Sequence, residues 1–455
     1  DAYAAQVLFG GVEAFGKLPV EVAENLPYQT GLHRQPVRLG FAPPERVGIA
    51  PERLVGIDAI AESAIDHSVF PGCQVAVAKD GQVIFSKGFG THTYAGKQPV
   101  RTADLYDVAS VTKIAATTLA VMKLWEEKKL DLDGTAGEYV PMPEKSKVRN
   151  VKIRELLLHF SGLQAQMPIA RYYNYRNVPT KGCNDYFCKK PSPYFNVQVD
   201  EDLFLRNDHP DSIWARAMRL PVSTKKYYHY SDVNYFVLQK VVENLTQQPL
   251  DYFVSETFYH PLGLRRTTFK PSIRFEKWQI VPTEQDRLWR KDLVHGYVHD
   301  PAAALLGGVA GSAGVFANAE DLAALFQMML NEGNYGGAQF FQPETVQEFA
   351  IKKHGIHRGF GFDKPVNRRF PTSSPHVSPE TYGHTGFTGT CVWVDPKSRL
   401  VYVFLSNRVH PNARNGKIFT EGIRSRIHEV VYDAMGTFEG VVPELSIESE
   451  ILEGE

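Results

Sequence analysis

The stretch "DVASVTKIAATTLAVMKLWEEKKLDLDGT" begins at Asp107 and sets one lysine, Lys113, three residues after Ser110 in almost uncharged surroundings. Residues three apart on a helix share a face, so the spacing predicts a hydroxyl and an amine side by side on the first turn. Val111, Ile114, Ala115, Val121, Met122 and Trp125 cover more than one face, which predicts a central, buried helix. Burial disfavours the charged amine and lowers its pKa. A neutral amine beside a hydroxyl is a base placed to activate a nucleophile. The plainer reading is a lysine whose stem lies in the core while its amine snorkels to water. A second Ser-x-x-Lys, Ser223 to Lys226 in "STKKYYHY", has no apolar helix behind it and reads as a solvated turn.

The flanking elements must hold that helix. "PERLVGIDAIAESAID" places Leu54, Ile57, Ile60, Ala61 and Ile65 on one helical face. "GCQVAVAKDGQVIFSKGFG" alternates apolar residues on both sides of Asp80-Gly81, a hairpin signal. Residues 110–263 read as mainly helical, interrupted at 164–210 by an aromatic, Pro-rich segment without a clean period, expected to be an ordered lid. "AEDLAALFQMMLNEG" is a helix capped by Asn318 and ended by Gly333. Strands "GTCVWVDP" and "LVYVFLSN" precede a closing helix over residues 419–435. Both chain ends are therefore expected in one antiparallel sheet.

The 455 residues carry 22% charged and 43% hydrophobic side chains, the profile of a soluble globular protein. Fifty Lys plus Arg against 51 Asp plus Glu give no field that would recruit nucleic acid or an anionic membrane. The least charged run, "AAALLGGVAGSAGVFANA" from Ala302, is built of Gly, Ala and Ser and reads as buried loop and strand, so no transmembrane segment is expected. The chain starts at Asp1 without a charged-then-apolar leader, so any secretory signal is expected to be removed or never present. Cys183 and Cys188 are close enough to bridge one loop, which would suit an oxidising compartment; Cys73 and Cys391 are expected unpaired in strands.

With those elements in place, the chain resembles the serine β-lactamase and penicillin-binding protein superfamily, whose signature is Ser-x-x-Lys, a Tyr or Ser motif, and Lys-Thr-Gly. "ASVTKIAATTLAVMKLWEEKKLDLD" is similar to the nucleophile helix of the branch with class C β-lactamases, D,D-peptidases, D-aminopeptidases and family VIII esterases. "IRELLLHFSGL" at Ile153, "YSDVNYFVLQKVVENLTQQPL" at Tyr230 and "GHTGFTGT" at Gly383 follow in that branch's order. The resemblance covers about residues 42–435 and implies a β-lactamase/transpeptidase-like α/β (α+β) fold. In it, an antiparallel sheet flanked by helices joins a mainly helical lobe. It implies that Ser110 is acylated by an amide, ester or lactam carbonyl, and that Lys113 and Tyr230 share general base and acid work, with the lysine's charge holding the tyrosine pKa down. The N–H groups of Ser110 and Phe387 would form the oxyanion hole. No cofactor or metal is implied.

Three positions depart from the pattern. Asp232 stands where Tyr-x-Asn is usual: ionised, it donates no hydrogen bond, and it could instead hold Lys113 charged. Asn234 is a candidate stand-in. Literal Tyr-x-Asn triplets at Tyr172, Tyr175 and Tyr194 fall in the insertion and read as lid residues. His384 replaces the usual lysine before Thr385 and Gly386, which moves the expectation from lactams toward an esterase or a peptidase with other anchors. Arg408 could supply the missing charge, or sit as a surface arginine at a strand end.

Other clusters read as structure. His159 and Ser161 in "HFSGL" are neighbours at a helix stop, with Gly162 left-handed. "HGYVHD" at His295 lacks zinc partners, and "GGVAGSAG" at Gly307 lacks a phosphate loop's ending. The arm "DAYAAQVLFGGVEAFGKLPV" resembles the C-terminal end of a family 3 glycoside hydrolase, which implies a covalently fused sugar-cleaving region and peptidoglycan as a neighbouring substrate; otherwise it is a polar arm on the surface. The expected organisation is an arm or linker at 1–44, a serine hydrolase domain at 45–440 and a tail at 441–455. Within the domain, an α/β lobe (45–109 and 290–440) and a helical lobe (110–289) meet at the cleft. The expected function is hydrolysis, through an acyl-enzyme, of a peptidoglycan-related peptide or an ester, with weak β-lactam turnover, in a periplasmic or secreted setting of the bacterial envelope. The alternatives are a penicillin-binding sensor that stays acylated, or an inactive wall-binding module of a glycosidase fusion.

Overall fold

The structure, a computed structural model, describes residues 2–169, 178–351, 353, 356–366 and 369–436. The triplets at Tyr172 and Tyr175 and the 441–455 tail lie outside them.

The alternation of small and large apolar residues in the first hairpin builds the central sheet. β1 (Gly40–Phe41), β2 (Gly72–Lys79), β3 (Gln82–Gly90), β4 (Tyr382–Thr385), β5 (Cys391–Asp395) and β6 (Leu400–Ser406) run in the spatial order β1-β3-β2-β6-β5-β4. Asp80 and Gly81 both have positive φ, 52° and 76°, as a two-residue hairpin of this twist requires. Both chain ends meet where β6 pairs antiparallel with β2, Leu400 opposite Lys79 and Ser406 opposite Cys73. The expected all-antiparallel sheet is corrected at one edge: β1 runs parallel to β3, so the sheet is mixed.

Each central strand feeds two cores, because side chains alternate across a sheet. Val75, Val77, Trp393, Tyr402 and Phe404 face α1 (Val55–Asp66) and α5 (Ile423–Met435), burying Ile57, Ala61, Ile427 and Val431. Ala76, Ala78, Val392, Val403 and Leu405 face the opposite way, onto α4 (Ala319–Leu330) and the helical part of the chain. Asn318 caps α4, its side chain accepting the Asp321 N–H at 3.1 Å, and Gly333 is left-handed just beyond. The closing helix is not continuous from 419. A short turn, Lys417–Thr420, ends at left-handed Gly422, and α5 starts after it. The Ala302 run likewise begins as a helix, Pro301–Leu305, capped by Asp300, before strand Val315–Ala317.

The insertion orders as a three-stranded sheet, Phe187–Cys188, Phe195–Asp200 and Leu203–Arg206, with the last strand central. Cys183 and Cys188 are disulfide-bonded, and Cys73 and Cys391 are free and buried in β2 and β5. The sheet leans on residues 277–308 through Phe187 against Trp289 and an ion pair of Glu201 with Lys277. That segment carries His299, whose N–H reaches the Asp107 carboxylate, and Asp300.

Candidate active site

Ser110 follows a backbone under strain. Ala109 has φ 48°, a left-handed value that costs a non-glycine residue of the order of 1 kcal/mol. The loop is held there by Asp107, whose buried carboxylate accepts the Ala109 N–H at 2.8 Å and the His299 N–H at 2.7 Å. Thr388 and Thr390, after β4, donate to the carbonyls of Asp107 (2.7 Å) and Val108 (3.0 Å). Gly386 sits in that seam, where a Cβ would come within 2.1 Å of Thr390 Oγ1 and 2.5 Å of the Val108 carbonyl. The strand and the loop before Ser110 are thus tied together from both sides.

Ser110 and Lys113 do not open a regular α-helix. Ala109–Val111 is a 3₁₀ turn and Lys113–Thr117 a single π turn, after which α2 (Thr118–Glu126) is regular. Lys113 is fully buried, and its Nζ donates to Ser110 Oγ at 2.9 Å, to Asp232 Oδ1 at 2.6 Å and to the Ser312 carbonyl at 3.3 Å. The amine therefore does not snorkel to water. Ser110 keeps partial solvent exposure, so a reactant can reach it.

Tyr230 and Asp232 arrive just ahead of and at the start of α3 (Asp232–Thr246). The Tyr230 ring lies 4.9 Å from Lys113 Nζ. The expectation that Lys113 holds the tyrosine hydroxyl down is overturned. Burial, then the Asp232 carboxylate, pushes it well above the ordinary phenol value, and the Ser110 hydroxyl opposes this without reversing it. His159, which the sequence reading assigned to a helix stop, stacks under the Tyr230 ring at 4.5 Å. Its Nδ1 accepts from the Ser231 N–H at 3.0 Å and from Asn234 Nδ2 at 3.1 Å. Asn234 is buried and committed to His159 and to the Ser161 hydroxyl (2.6 Å), so it acts behind Tyr230 and not as a stand-in for the motif's asparagine.

Along β4, His384, Thr385 and Gly386 lead to Phe387, which is 53% exposed and stacked on His299 at 5.7 Å. His384 is buried, donates from Nδ1 to the Thr385 carbonyl at 2.7 Å, and has its pKa lowered to about 4 by burial, despite nearby Asp363. A neutral ring replaces the usual lysine. Arg408 is neither a free cation nor a surface residue. It is buried, donates to the carbonyls of Phe387, Ala413 and Asn415 at 2.8 Å each, and fixes the Phe387 peptide. The buried guanidinium of Arg358 pairs with Asp363, which bridges antiparallel to Gly383. In "HGYVHD", His295 bonds the Lys277 and Ile280 carbonyls, His299 pairs with Glu284 at 2.9 Å, and Asp300 caps a helix. Sequence reasoning missed Asp107, His159 and Arg358: the first two are engaged 192 and 72 positions along the chain, by His299 and Ser231, and the Arg358–Asp363 pair, five apart, matches no motif.

The His384 environment sets a pH dependence. The ring has a folded pKa of about 4 against 6.5 when unfolded, so its neutral form is common to both states above 6.5. As pH falls from 6.5 to about 4, the unfolded chain binds this proton and the folded one does not, so stability is lost. Asp300 and Asp321, pushed up to about 6 by burial, act in the opposite sense. The contribution is therefore read as a difference: wild type should lose about 1.4 kcal/mol per pH unit relative to His384→Gln across that window. Urea unfolding at pH 7, 5.5 and 4.5 checks it, and parallel curves for the two proteins would refute the buried neutral ring.

Comparison with known proteins identifies what the chain is similar to. A family model described as Beta-lactamase matches residues 57–421. The chain is 34% identical over 368 residues to a protein of Escherichia coli (strain K12) named "Putative D-alanyl-D-alanine carboxypeptidase", covering 75% of this chain and 79% of that one. A Salmonella typhimurium protein of the same name is 33% identical over 390 residues, covering 80% and 84%. Among solved structures, EstCE1, a hydrolase with promiscuous acyltransferase activity, superposes with TM-score 0.59 at 19% identity, over 84% of this chain and 99% of that one. An octameric penicillin-binding protein homologue from Pyrococcus abyssi gives TM-score 0.57 at 19% identity, over 81% and 80%.

Proposed function

Since this chain belongs to the β-lactamase family of serine hydrolases, we propose that it hydrolyses an ester or amide carbonyl through an acyl-enzyme on Ser110. One observation carries the reading: a fully buried Lys113 amine lies 2.9 Å from a solvent-reachable serine hydroxyl. Ser110 Oγ attacks the carbonyl carbon, and the hydroxyl proton leaves to Lys113 Nζ, 2.9 Å away. Developing charge on the carbonyl oxygen is received by the N–H groups of Ser110 and Phe387, held in place by the Thr388, Thr390 and Arg408 bonds. The proton returns to the leaving group, and water then releases the acid and restores the serine.

The relatives' names favour a peptide ending in D-alanyl-D-alanine, whose free carboxylate needs a cation. Among the described residues, the side chains around the Lys-Thr-Gly position supply none: His384 is neutral, Arg408 serves three carbonyls, and Arg358 is paired with Asp363. This supports acyl donors without a carboxylate beside the scissile bond, with esters first and wall peptides second. Kinetics with p-nitrophenyl butyrate and with diacetyl-Lys-D-Ala-D-Ala test the order. Ester kcat/KM should exceed that of D-Ala release; the reverse would overturn it.

We place the protein in the bacterial envelope, periplasmic or secreted, a setting supported by the Cys183–Cys188 disulfide. Among the described residues no helix is long and apolar enough to cross a membrane. Leu8 and Leu32 in the arm are 78% and 81% exposed, which supports a neighbouring region, such as the fused glycoside hydrolase, packing on it.

A further inference from the structure

A lysine ammonium has three N–H donors and no acceptor. Lys113 makes three bonds, to Ser110 Oγ, Asp232 Oδ1 and the Ser312 carbonyl, so in the ion pair with Asp232 every donor is used. In that state it points a hydrogen at the serine oxygen and has no lone pair for the serine proton. Tyr230, the other neighbour of Ser110, has its ring against Lys113 Nζ, and burial of its hydroxyl and the Asp232 carboxylate strengthen its hold on its own proton. A proton must therefore leave Lys113 before Ser110 can lose one, and the closest recorded partner of the amine is the carboxylate at 2.6 Å.

Asp232 is built to stay in that position. Its N–H is tied to the Ala165 carbonyl at 2.8 Å, and it opens the first turn of α3. The groups that act on it are Lys113, Tyr230 and the Asp300 carboxyl, whose affinity for a proton is raised by burial and by Asp232 itself. An ion pair taken out of water has little to lose by becoming a neutral pair, because both desolvation penalties vanish with the charges.

Resting on the acylation of Ser110 proposed above, we infer that Asp232 does not replace an amide-binding asparagine but stores the proton that frees Lys113 to act as base. As Oγ closes on the carbonyl carbon, Lys113 Nζ passes one proton to Asp232 Oδ1 and takes the serine proton in its place. One N–H bond breaks and one O–H bond forms at Asp232; the Ser110 O–H bond breaks and one N–H bond re-forms on Lys113. The negative charge moves from Asp232 to the tetrahedral oxygen. On collapse, Lys113 protonates the leaving oxygen or nitrogen and recovers its proton from Asp232, so the ion pair is restored.

Rapid mixing with p-nitrophenyl acetate, read with intact mass, tests this on the whole chain. Asp232→Asn preserves shape and should slow acylation by about 10²-fold, the usual worth of a general acid–base group. Asp232→Ala should fall as far. Because the aspartate side chain is 19% exposed, formate can enter the gap, and it should restore the Asp232→Ala rate by about tenfold where chloride does not. Rescue by a small carboxylate is a response that a merely structural residue would not give. If Asp232→Asn acylates within about threefold of wild type, the inference is overturned, and that variant alone decides should Asp232→Ala fail to fold. If wild type itself gains no mass at Ser110, the acyl-enzyme reading falls first and this inference with it.

Discussion

Ser110→Ala should lower kcat/KM for an activated ester by on the order of 10⁴-fold or more while leaving the thermal unfolding midpoint within a few degrees of wild type. The activity loss follows from removing the oxygen proposed to bond the acyl group. Stability should hold because the hydroxyl is partly exposed and its hydrogen bond comes from the Lys113 amine. That bond does not anchor the loop. That work falls to the Asp107 carboxylate and to Thr388 and Thr390, which the substitution does not touch. Alanine is also already tolerated next door at the strained φ of residue 109. Stopped-flow ester hydrolysis and calorimetry on the same preparation separate the two effects, and residual turnover above a hundredth of wild type would count against Ser110 as nucleophile.

Lys113→Met should hurt both activity and stability. Methionine keeps the unbranched stem, so packing between Tyr230 and Tyr235 survives, but three hydrogen bonds disappear at once. The activity cost should be on the order of 10³-fold, since the serine loses the group that receives its proton. The Asp232 carboxylate and the buried Ser312 carbonyl are left without their cation. Breaking a buried pair by removing one partner costs about 3 kcal/mol. The double variant Lys113→Met with Asp232→Leu removes the stranded charge and should regain most of the stability and none of the activity. Urea titration of the three proteins measures this, and additivity of the two substitutions would show that the pair does not interact.

How much of this could be read from the letters depends on the range of each interaction. The Asp80-Gly81 hairpin, the Asn318 cap and the face shared by Ser110 and Lys113 are settled within a few residues, where spacing and turn chemistry speak directly. The regular helix expected at Ser110 was wrong in detail, because the tertiary demand for Ala109 at positive φ and a π turn at Lys113 overrides local preference. Arg408 and Asn234 looked like site residues by proximity in sequence. Three carbonyls claim the first and His159 the second, and nothing local encodes either. The pairing of Lys113 with Asp232 spans 119 positions, so the sequence could offer it as an alternative but could not choose it. The tyrosine shift went the other way for the same reason. With Asp232 already beside Lys113, the cation that was expected to hold Tyr230 down is offset, and burial decides. The strands at 187–206 escaped notice because two of them have irregular pairing register and short apolar runs.

Trapping the intermediate is the most direct measurement. Incubation with p-nitrophenyl butyrate, acid quench, proteolysis and tandem mass spectrometry should find the acyl mass on the peptide that carries Ser110, on that residue, and nowhere in the Ser110→Ala protein. An acyl group carried instead by another side chain, or a peptide that stays unmodified while ester is consumed, would contradict the account.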